Sequence, residues 1–159
     1  MIRVGQGVDV HPFHSDRPLI LGGVRISDAG GLEGHSDADA VLHAIVDALL
    51  GCAGAGDIGQ YFPSSDERWR GADSSVFVRE AKRILDEMNA EIGNVDVTII
   101  AQQPKLSPHR EAMIESIARL LDLPQGRVNV KATTTDHLGF LGRGEGLCAM
   151  AIVAVEMQR

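Results

Sequence analysis

Three potential metal ligands stand in two short segments near the start of the chain, and they constrain how it can fold. Asp9 and His11 are two residues apart, so in an extended strand both side chains point to the same side. His43 lies in a predicted helix that begins near Ala38. One carboxylate and two imidazoles are a frequent ligand set for catalytic zinc, with the fourth position left open. We therefore expect a divalent-metal site, with zinc as the ion, built from the first strand and the first helix.

Both segments also have a simpler interpretation. The Asp-x-His segment can be the polar end of a strand, because Pro12 follows it and is expected to end that strand. Asp39, His43 and Asp47 recur at helical spacing, which is also typical of a solvated helix face. On the functional interpretation, one of these two carboxylates orients the His43 ring. The two interpretations are balanced until the Asp-x-His segment is considered together with the helix.

Composition and charge exclude several classes of protein. The chain has 159 residues, of which 44% are hydrophobic, as expected for a single domain with a sizeable core. The formal charge of −7 argues against a nucleic-acid-binding protein, which would carry a basic face. Cys52 and Cys148 are far apart and outside any CxxC motif, which indicates reduced, buried thiols. With no apolar leader or membrane-length apolar run, we expect a cytoplasmic protein without a membrane partner.

Hydrophobic periodicity predicts a mixture of strands and helices. Alternating valines at Val4, Val8 and Val10 favour a half-buried first strand, in which Gly5 and Gly7 mark a bulge or a close backbone approach. The Gly22-Gly23 pair between two apolar triplets predicts a hairpin with a primed turn. The remaining predicted strands are 94–101, 128–132 and 147–157, and the predicted helices are 38–50, 75–91 and 109–121.

The first predicted helix has a capping signal and a clear apolar face. Ser36 is the expected N-cap, with Asp39 three residues later as in a capping box. For the helix at 75–91, Asp73 or Ser74 is the expected cap. The expected buried face of the first helix consists of Val41, Leu42, Ile45, Ala48 and Leu49.

Four further polar segments are open to two interpretations each. Asp57, after a run of small residues, can accept hydrogen bonds from a sugar diol or cap a turn, and the cap is favoured. Residues 61–66 form an expected exposed loop that can act as a mobile lid. The two-proline loop at 102–108 can read a base edge or simply lead into the next helix. The threonine- and glycine-rich segment 133–146 can cradle phosphate and metal, or merely connect two elements.

The inventory of polar residues favours metal-assisted phosphoryl chemistry. The chain has no GxSxG nucleophile elbow and no Walker A motif. Phosphoryl transfer depends mainly on positioning and electrostatics, so an absent protein nucleophile is no objection. A second, harder cation such as Mg²⁺ would be held by Asp136 together with substrate phosphates. Lys131, Thr134 and Arg143 are candidates for neutralising the developing charge.

Several motifs together carry a family resemblance across nearly the whole chain. They are Gly7–His11 (GVDVH), His35–His43 (HSDADAVLH), Gly56–Gly59 (GDIG), Asn94–Thr98 (NVDVT), Lys131–Thr135 (KATTT) and Gly142–Gly146 (GRGEG). In this order they resemble the 2-C-methyl-D-erythritol 2,4-cyclodiphosphate synthase family. The length is similar to that of stand-alone members, so we expect no fused cytidylyltransferase domain.

The resemblance implies a fold, an assembly and a reaction. The fold would be α+β, a single catalytic domain over residues 1–159, with a mixed sheet covered by helices on one face and a small β-hairpin. The protein would be a homotrimer with active sites between subunits. It would convert 4-diphosphocytidyl-2-C-methyl-D-erythritol 2-phosphate to the 2,4-cyclodiphosphate by attack of the 2-phosphate on the β-phosphorus, releasing CMP. This lyase reaction belongs to the non-mevalonate route to isoprenoids.

The resemblance also implies residue roles. Asp9, His11 and His43 would bind one zinc ion per subunit, and Asp136 a second cation, Mg²⁺ or Mn²⁺, held with the substrate diphosphate. His35 and Thr134 would stabilise the transition state. Arg143 and Glu145 would face the trimer axis, where some family members bind isoprenoid phosphates. Contacts with the substrate are further implied for Asp9, His11, Ser36, Asp57, Ile58, Gly59, Phe62, Pro63, Ser64, Ser65, Asp66, Ala101, Gln102, Gln103, Pro104, Lys105, Leu106, Ser107, Thr133, Thr135, Asp136, Phe140 and Arg143.

Two positions depart from the family pattern, and two other functions are compatible with the residues. Asp136 stands where Glu is expected as the magnesium ligand, and Ser64 where some relatives have Asp. A metal-dependent phosphohydrolase would use water in place of the internal phosphate and yield an open-chain product. A non-catalytic trimeric module that binds metal or isoprenoid phosphate would tolerate loss of His43, although every residue that the cyclisation needs is present.

Overall fold

The computed structural model describes residues 1–158, which form a mixed α+β fold of one domain. Both short 3₁₀ turns and regular elements are present. The strands are β1 (Ile2–His14), β2 (Leu19–Leu21), β3 (Val24–Ser27), β4 (Gly31–Leu32), β5 (Ala90–Ile100), β6 (Val128–Thr133) and β7 (Gly146–Met157). The helices are α1 (Ala40–Ala53), α2 (Ile58–Tyr61), α3 (Ser75–Glu87), α4 (Arg110–Leu121) and α5 (Gly139–Gly142).

The main sheet is mixed, as predicted, and has β7 at its centre. Its strand order is β4-β1-β7-β5-β6. β7 pairs antiparallel with both β1 and β5, whereas β6 runs parallel to β5 at the edge. As a result, β1, β5 and β6 all point the same way, and their carboxyl ends lie at one edge of the sheet. This end of the sheet carries Asp9 and His11 of β1, the segment 101–107 that follows β5, and Thr133 at the end of β6.

Helices cover one face of this sheet. α1 packs on β1 and β7, α3 packs on α1, and α4 packs on β6. The predicted apolar face of α1 is buried, and so are Ala44, Val46 and Leu50 outside it. α1 is buried nearly all round because it lies between the sheet and α3. None of the helices within residues 1–158 is long and apolar enough to span a membrane.

One prediction about the first strand is wrong. Pro12 does not end it, because β1 continues to His14 with Pro12 in register with Gly146 of β7. The half-buried strand predicted from the alternating valines is confirmed, since buried and exposed residues alternate along it. Val4, Val8 and Val10 lie on the exposed face, with 64%, 49% and 45% of their surfaces exposed, and the helices cover the opposite face.

Glycines on β1 explain which face the helices cover. A Cβ atom on Gly5 would lie 1.9 Å from the carbonyl oxygen of Ala48, and one on Gly7 would lie 1.9 Å from that of Ala44. The backbones of β1 and α1 are therefore in direct contact, as only glycine permits. Of the two interpretations offered for these glycines, the close backbone approach is confirmed.

The small hairpin is confirmed and is fastened to α1. β2 and β3 pair antiparallel, and Gly22 and Gly23 both have positive φ, as a primed turn requires. The buried Asp39 carboxylate accepts hydrogen bonds from the N–H groups of both glycines, at 2.8 and 2.7 Å. It also accepts one from Leu42 N at 3.0 Å, so it caps α1.

Asp39 thus replaces Ser36 as the N-cap, and α1 begins at Ala40 and not at Ala38. The reason is that Ala38 has φ 57°, outside the helical region. α3 ends at Glu87, earlier than the predicted residue 91, because Asn89 turns the chain with φ 54° into β5 at Ala90. The two candidate caps of α3 share the capping role. Ser74 occupies the N-cap position but makes no side-chain cap bond, whereas the Asp73 carboxylate accepts a hydrogen bond from Ser75 N.

The contact between β1 and α1 yields a stability prediction. We expect Gly7→Ala to lower the free energy of unfolding by at least about 2 kcal/mol, because the new Cβ would push α1 away from the sheet. The matched control is Gly126→Ala, because Gly126 is exposed and a Cβ there meets nothing within 4 Å. Urea denaturation followed by circular dichroism measures both. Equal midpoints for the two variants would contradict the proposed contact.

Candidate functional site

The three predicted metal ligands converge at one end of α1. Asp9 and His11 point from β1 towards the helix, and His43 lies in its first turn. Their donor atoms all lie within 4.8 Å of one another. His11 Nε2 is 2.7 Å from Asp9 Oδ2, and His43 Nδ1 is 3.3 Å from the same oxygen. The structure therefore brings together two imidazole nitrogens and a carboxylate oxygen, here called the metal triad.

The hydrogen-bonding pattern of the triad fits a bound cation. Asp9 Oδ2 and His11 Nε2 are buried and, within residues 1–158, make no hydrogen bond of acceptable geometry, although they are close together. The other nitrogen, His11 Nδ1, is 2.6 Å from the Glu33 carbonyl oxygen, which can only accept. Nδ1 therefore carries the hydrogen, and Nε2 directs its lone pair at the space shared with Asp9. A divalent cation there would satisfy both buried atoms.

The charges of the triad are coupled. Burial acts to raise the pKa of Asp9, but the adjacent His11 and His43 outweigh it and lower that pKa to about 2. Burial acts to lower the pKa of His11, but Asp9 outweighs it and raises that pKa above its usual 6.5. Asp9 is therefore ionised at neutral pH, and the raised pKa of His11 means that a proton competes with a cation for this imidazole.

Neither of the carboxylates predicted to orient His43 does so. Asp39 bonds the hairpin and the start of α1, as described above. Asp47 Oδ1 accepts a hydrogen bond from Ile58 N at 2.8 Å, which ties α1 to α2. The other His43 nitrogen, Nε2, instead lies 2.8 Å from Ser74 Oγ and 3.2 Å from Ser36 Oγ. Hydroxyl groups from two other segments thus contact His43 in place of the expected partners Asp39 and Asp47 on its own helix.

The segment before α1 is held next to the triad by an arginine that the motifs did not single out. Arg17 donates to the carbonyl oxygens of Gly34 and Ser36, each at 2.5 Å. His35 Nε2 lies 3.1 Å from the carbonyl oxygen of Asp66. No signal in the sequence marks Arg17, because its role depends on a chain reversal through the hairpin.

Asp57 acts as a cap, as favoured by the sequence. Its carboxylate accepts a hydrogen bond from Gln60 N at 3.1 Å and so begins α2, which contains Ile58 and Gly59. The loop at 62–66 follows directly. In it, Phe62 and Pro63 are half-buried, Ser64 and Ser65 are exposed, and the Asp66 carboxylate pairs with Arg68 at 2.6 Å. Phe62 packs on Phe77 and Trp69, with ring centroids 4.5 and 5.1 Å away.

The remaining predicted site residues lie beyond the ends of β5 and β6. The two ends are joined, because Ala101 N donates to Thr133 O at 3.1 Å and His137 N donates to Gln102 Oε1 at 3.1 Å. Thr133 and Thr134 are exposed, and Thr134 Oγ accepts from Asp136 N at 3.2 Å. We call Ala101–Ser107 with Thr133–Asp136 the loop group.

A cleft of about 830 Å³ opens beside the loop group. Its walls include Gln102, Gln103, Pro104 and Arg143, together with Phe13 of β1. Phe140 is 47% exposed nearby on α5, whereas the side chain of Leu106 is buried and leaves only its backbone for contact.

Two of the predicted phosphate-binding cations are paired. Lys131 Nζ lies 2.6 Å from Asp96, and Arg143 Nε lies 2.7 Å from Glu145, both on exposed surfaces. Surface pairs of this kind are weak, so an anionic ligand can displace the carboxylate.

The metal triad and the loop group lie at the same end of the sheet but are not bonded to each other. In the part of the chain that the structure describes, no hydrogen bond or ion pair joins them. Across residues 1–158 the triad is also the one group of at least three clustered metal-binding side chains, and Asp136 lies outside it. The predicted site residues of one chain therefore form two groups that are not bonded to each other.

The comparison with protein families decides what kind of protein has this arrangement. Residues 2–156 match the model described as the YgbB family. The chain belongs to the YgbB family. The motif resemblance found in the sequence is confirmed by relatives named 2-C-methyl-D-erythritol 2,4-cyclodiphosphate synthase. The one from Cupriavidus pinatubonensis is 58% identical over 97% of this chain and 91% of its own length.

Two further similar proteins are longer than this chain, and a third is of comparable length. The bifunctional enzyme IspD/IspF of Erythrobacter litoralis is 53% identical over 97% of this chain, which spans only 40% of that protein. The solved structure of the bifunctional IspDF from Campylobacter jejuni has a TM-score of 0.92 and 42% identity, with 99% of this chain and 43% of that chain covered. A cyclodiphosphate synthase solved in a CDP-bound form has a TM-score of 0.89 and 40% identity, with 97% and 100% covered.

The protonation of the triad yields a prediction about metal affinity. We expect Zn²⁺ to bind the metal-free protein more tightly as the pH rises from 6 to 8, because the raised pKa of His11 makes the cation compete with a proton. Isothermal titration calorimetry in buffers of different ionisation enthalpy would show the proton release.

His11→Ala should abolish most of this affinity and its pH dependence. His14→Ala is the matched control, because His14 lies on the same strand but outside the triad. An affinity that does not change with pH, or an equal loss in both variants, would contradict the predicted site.

Proposed function

We propose that the protein is a phosphorus–oxygen lyase of isoprenoid biosynthesis by the non-mevalonate route. It converts 4-diphosphocytidyl-2-C-methyl-D-erythritol 2-phosphate to 2-C-methyl-D-erythritol 2,4-cyclodiphosphate and CMP. The observation that carries this proposal is the metal triad, with its buried donor atoms unpaired, in a chain 58% identical to a protein named for that product. The two buried, free thiols support a reducing, cytoplasmic location.

The ion proposed for the triad is zinc, one per subunit. Two neutral imidazoles and a carboxylate suit Zn²⁺ and leave one coordination position for a substrate oxygen. When bound, the ion would act as a Lewis acid that polarises the diphosphate. The Glu33 carbonyl would hold the ring of His11 in place by accepting a hydrogen bond from Nδ1. Asp9 would remain ionised because its pKa is lowered.

Residues beside the triad would bind the phosphates. Ser36 Oγ accepts a hydrogen bond from Ala38 N, which leaves its own hydrogen free to donate to a phosphate oxygen. His35 would donate to the same charge, and its ring is half-buried next to the loop at 62–66, the proposed site of the erythritol moiety. Both groups would stabilise negative charge that increases in the transition state.

The cytidine would be bound by parts of two chains. Asp57 and Gly59, with Ile58 between them, would hold the ribose through the carboxylate and the backbone of α2. The loop group of a neighbouring chain would read the cytosine, mainly with backbone groups of Ala101–Ser107. Its Thr134 would stabilise the transition state together with His35. This division is supported by the absence of any hydrogen bond or ion pair between the loop group and the metal triad within residues 1–158.

A second divalent cation is proposed at Asp136. The Asp136 carboxylate is exposed and contacts Thr134 Oγ at 3.5 Å, so it can reach a cation that is held mainly by phosphate oxygens. Mg²⁺ or Mn²⁺ suits such a site, because these ions keep several waters and need few protein ligands. Thr133, Thr135, Phe140 and Arg143 would complete the phosphate-binding surface.

The catalytic proposal is tested by product analysis. Purified protein is incubated with the cytidylyl substrate, Zn²⁺ and Mg²⁺, with and without chelator, and the products are followed by phosphorus NMR. We expect CMP and the cyclic diphosphate, and near-total loss of turnover in His43→Ala but not in His14→Ala. An open-chain phosphate would indicate a phosphohydrolase, and no CMP release with metal present would overturn the proposal.

The proposed assembly is a homotrimer with active sites between subunits. Supporting it, the sheet face opposite the helices is apolar and exposed: Ile2 is 71% exposed, and Val4, Val8, Val10 and Ile152 are also exposed on this face. An exposed apolar patch of this kind usually marks a protein interface. At the trimer axis, Arg143 and Glu145 beside the cleft are the residues proposed to bind an isoprenoid phosphate.

We expect Val8→Asp to dissociate the trimer, because a charge would be buried in the subunit interface. The matched control is Val76→Asp, since Val76 is 39% exposed on α3, on the helical side of the molecule. Sedimentation velocity measures the assembly, and circular dichroism verifies the fold. A Val8→Asp protein that sediments like the wild type would count against this interface.

A further inference from the structure

A chain of hydrogen bonds leads away from His43 to a carboxylate that no motif assigned to it. His43 Nε2 lies 2.8 Å from Ser74 Oγ. Ser74 Oγ in turn makes a short hydrogen bond to Asp37 Oδ1, and Ser74 N donates to Asp37 Oδ2 at 3.0 Å. Ser74 is fully buried, so water does not compete for its hydroxyl.

The donors and acceptors of this chain can be ordered. Ser74 has a single hydroxyl hydrogen, which it donates to the Asp37 carboxylate. Ser74 Oγ must then accept the hydrogen on His43 Nε2. A neutral His43 with its hydrogen on Nε2 has its lone pair on Nδ1, the nitrogen that lies 3.3 Å from Asp9 Oδ2. This series of hydrogen bonds thus selects the His43 tautomer that a metal ligand requires.

We propose that Ser74 and Asp37 are positioning residues that hold His43 in the ring orientation and tautomer needed to bind the metal. The proposal deepens the proposed function and rests on the metal triad. It gives Asp37 the role that the sequence pattern had offered to Asp39 and Asp47, whose carboxylates are engaged elsewhere. Carboxylates that orient ligating histidines in this way typically contribute tenfold to hundredfold in metal affinity.

Asp37 is itself held in place by the segment before α3. Its N–H donates to the carbonyl oxygen of Ala72 at 3.0 Å, and its Oδ1 accepts from Asp39 N at 3.1 Å. Asp37 and Ser74 therefore join the turn before α1 to the turn before α3. His43, at the end of this connection, also packs against Phe77 of α3, with ring centroids 5.9 Å apart. The ring is constrained through its nitrogen and through its face.

The affinity test uses Ser74→Ala with Ser75→Ala as the matched control. Ser75 is the next residue and is also buried, but its side chain makes no hydrogen bond within residues 1–158. Zn²⁺ affinity of the metal-free proteins is measured by competition with a chromophoric chelator. We expect about a tenfold to hundredfold weaker affinity for Ser74→Ala and no change for Ser75→Ala. Wild-type affinity in Ser74→Ala, or equal weakening in both, overturns the proposal.

A second measurement needs no variant and stays decisive if Ser74→Ala fails to fold. Long-range proton–nitrogen NMR of the metal-free wild type reports which ring nitrogen of His43 carries the hydrogen. We expect Nε2–H, and a predominant Nδ1–H form overturns the proposal. Neither measurement uses the substrate. Zinc binding with the expected tautomer but no CMP release would therefore reject the proposed function and leave this inference intact.

Discussion

The direct contact between the backbones of β1 and α1 is the constraint on which the site depends. Without a Cβ at Gly5 and Gly7, the strand lies against the carbonyl groups of Ala44 and Ala48. His43 immediately precedes Ala44, and Asp9 is two residues beyond Gly7. The packing distance between helix and strand therefore also sets the distance between the ligands. If larger residues in place of these glycines moved β1 and α1 apart, the same three side chains would be too far from one another to share one ion.

The polar residues around α1 are divided among different tasks. Asp39 fastens the hairpin, Asp47 fastens α2, and Ser74 contacts the ring of His43. Because α1 is buried between the sheet and α3, each of these groups needs a partner, and each has one from a different segment. The only buried side-chain donor and acceptor atoms left unpaired in residues 1–158 are those of Asp9 and His11 in the triad and the indole nitrogen of Trp69. Two of these three unpaired atoms, Asp9 Oδ2 and His11 Nε2, therefore belong to the metal triad.

Local patterns predicted most of the elements but not how the layers face each other. The Gly22-Gly23 turn and the apolar face of α1 depend on neighbours in sequence, and both are observed. Alternation along β1 could not show which face the helices cover, since its valines lie on the exposed side. The triad was predictable because two imidazoles and a carboxylate, considered together, match a frequent zinc ligand set. Ser74 and Arg17 were not, because their roles arise from contacts 31 and 17 to 19 residues away.

The proposed sharing of each active site between two chains has a genetic consequence. If each active site takes its triad from one chain and its loop group from the next, a defect in either part inactivates a uniform trimer. Mixed trimers of the two defective chains would nevertheless contain some sites in which both parts are intact. Two inactive alleles could then restore growth together. Each defect would inactivate the sites at particular subunit interfaces and not all the sites to which its chain contributes.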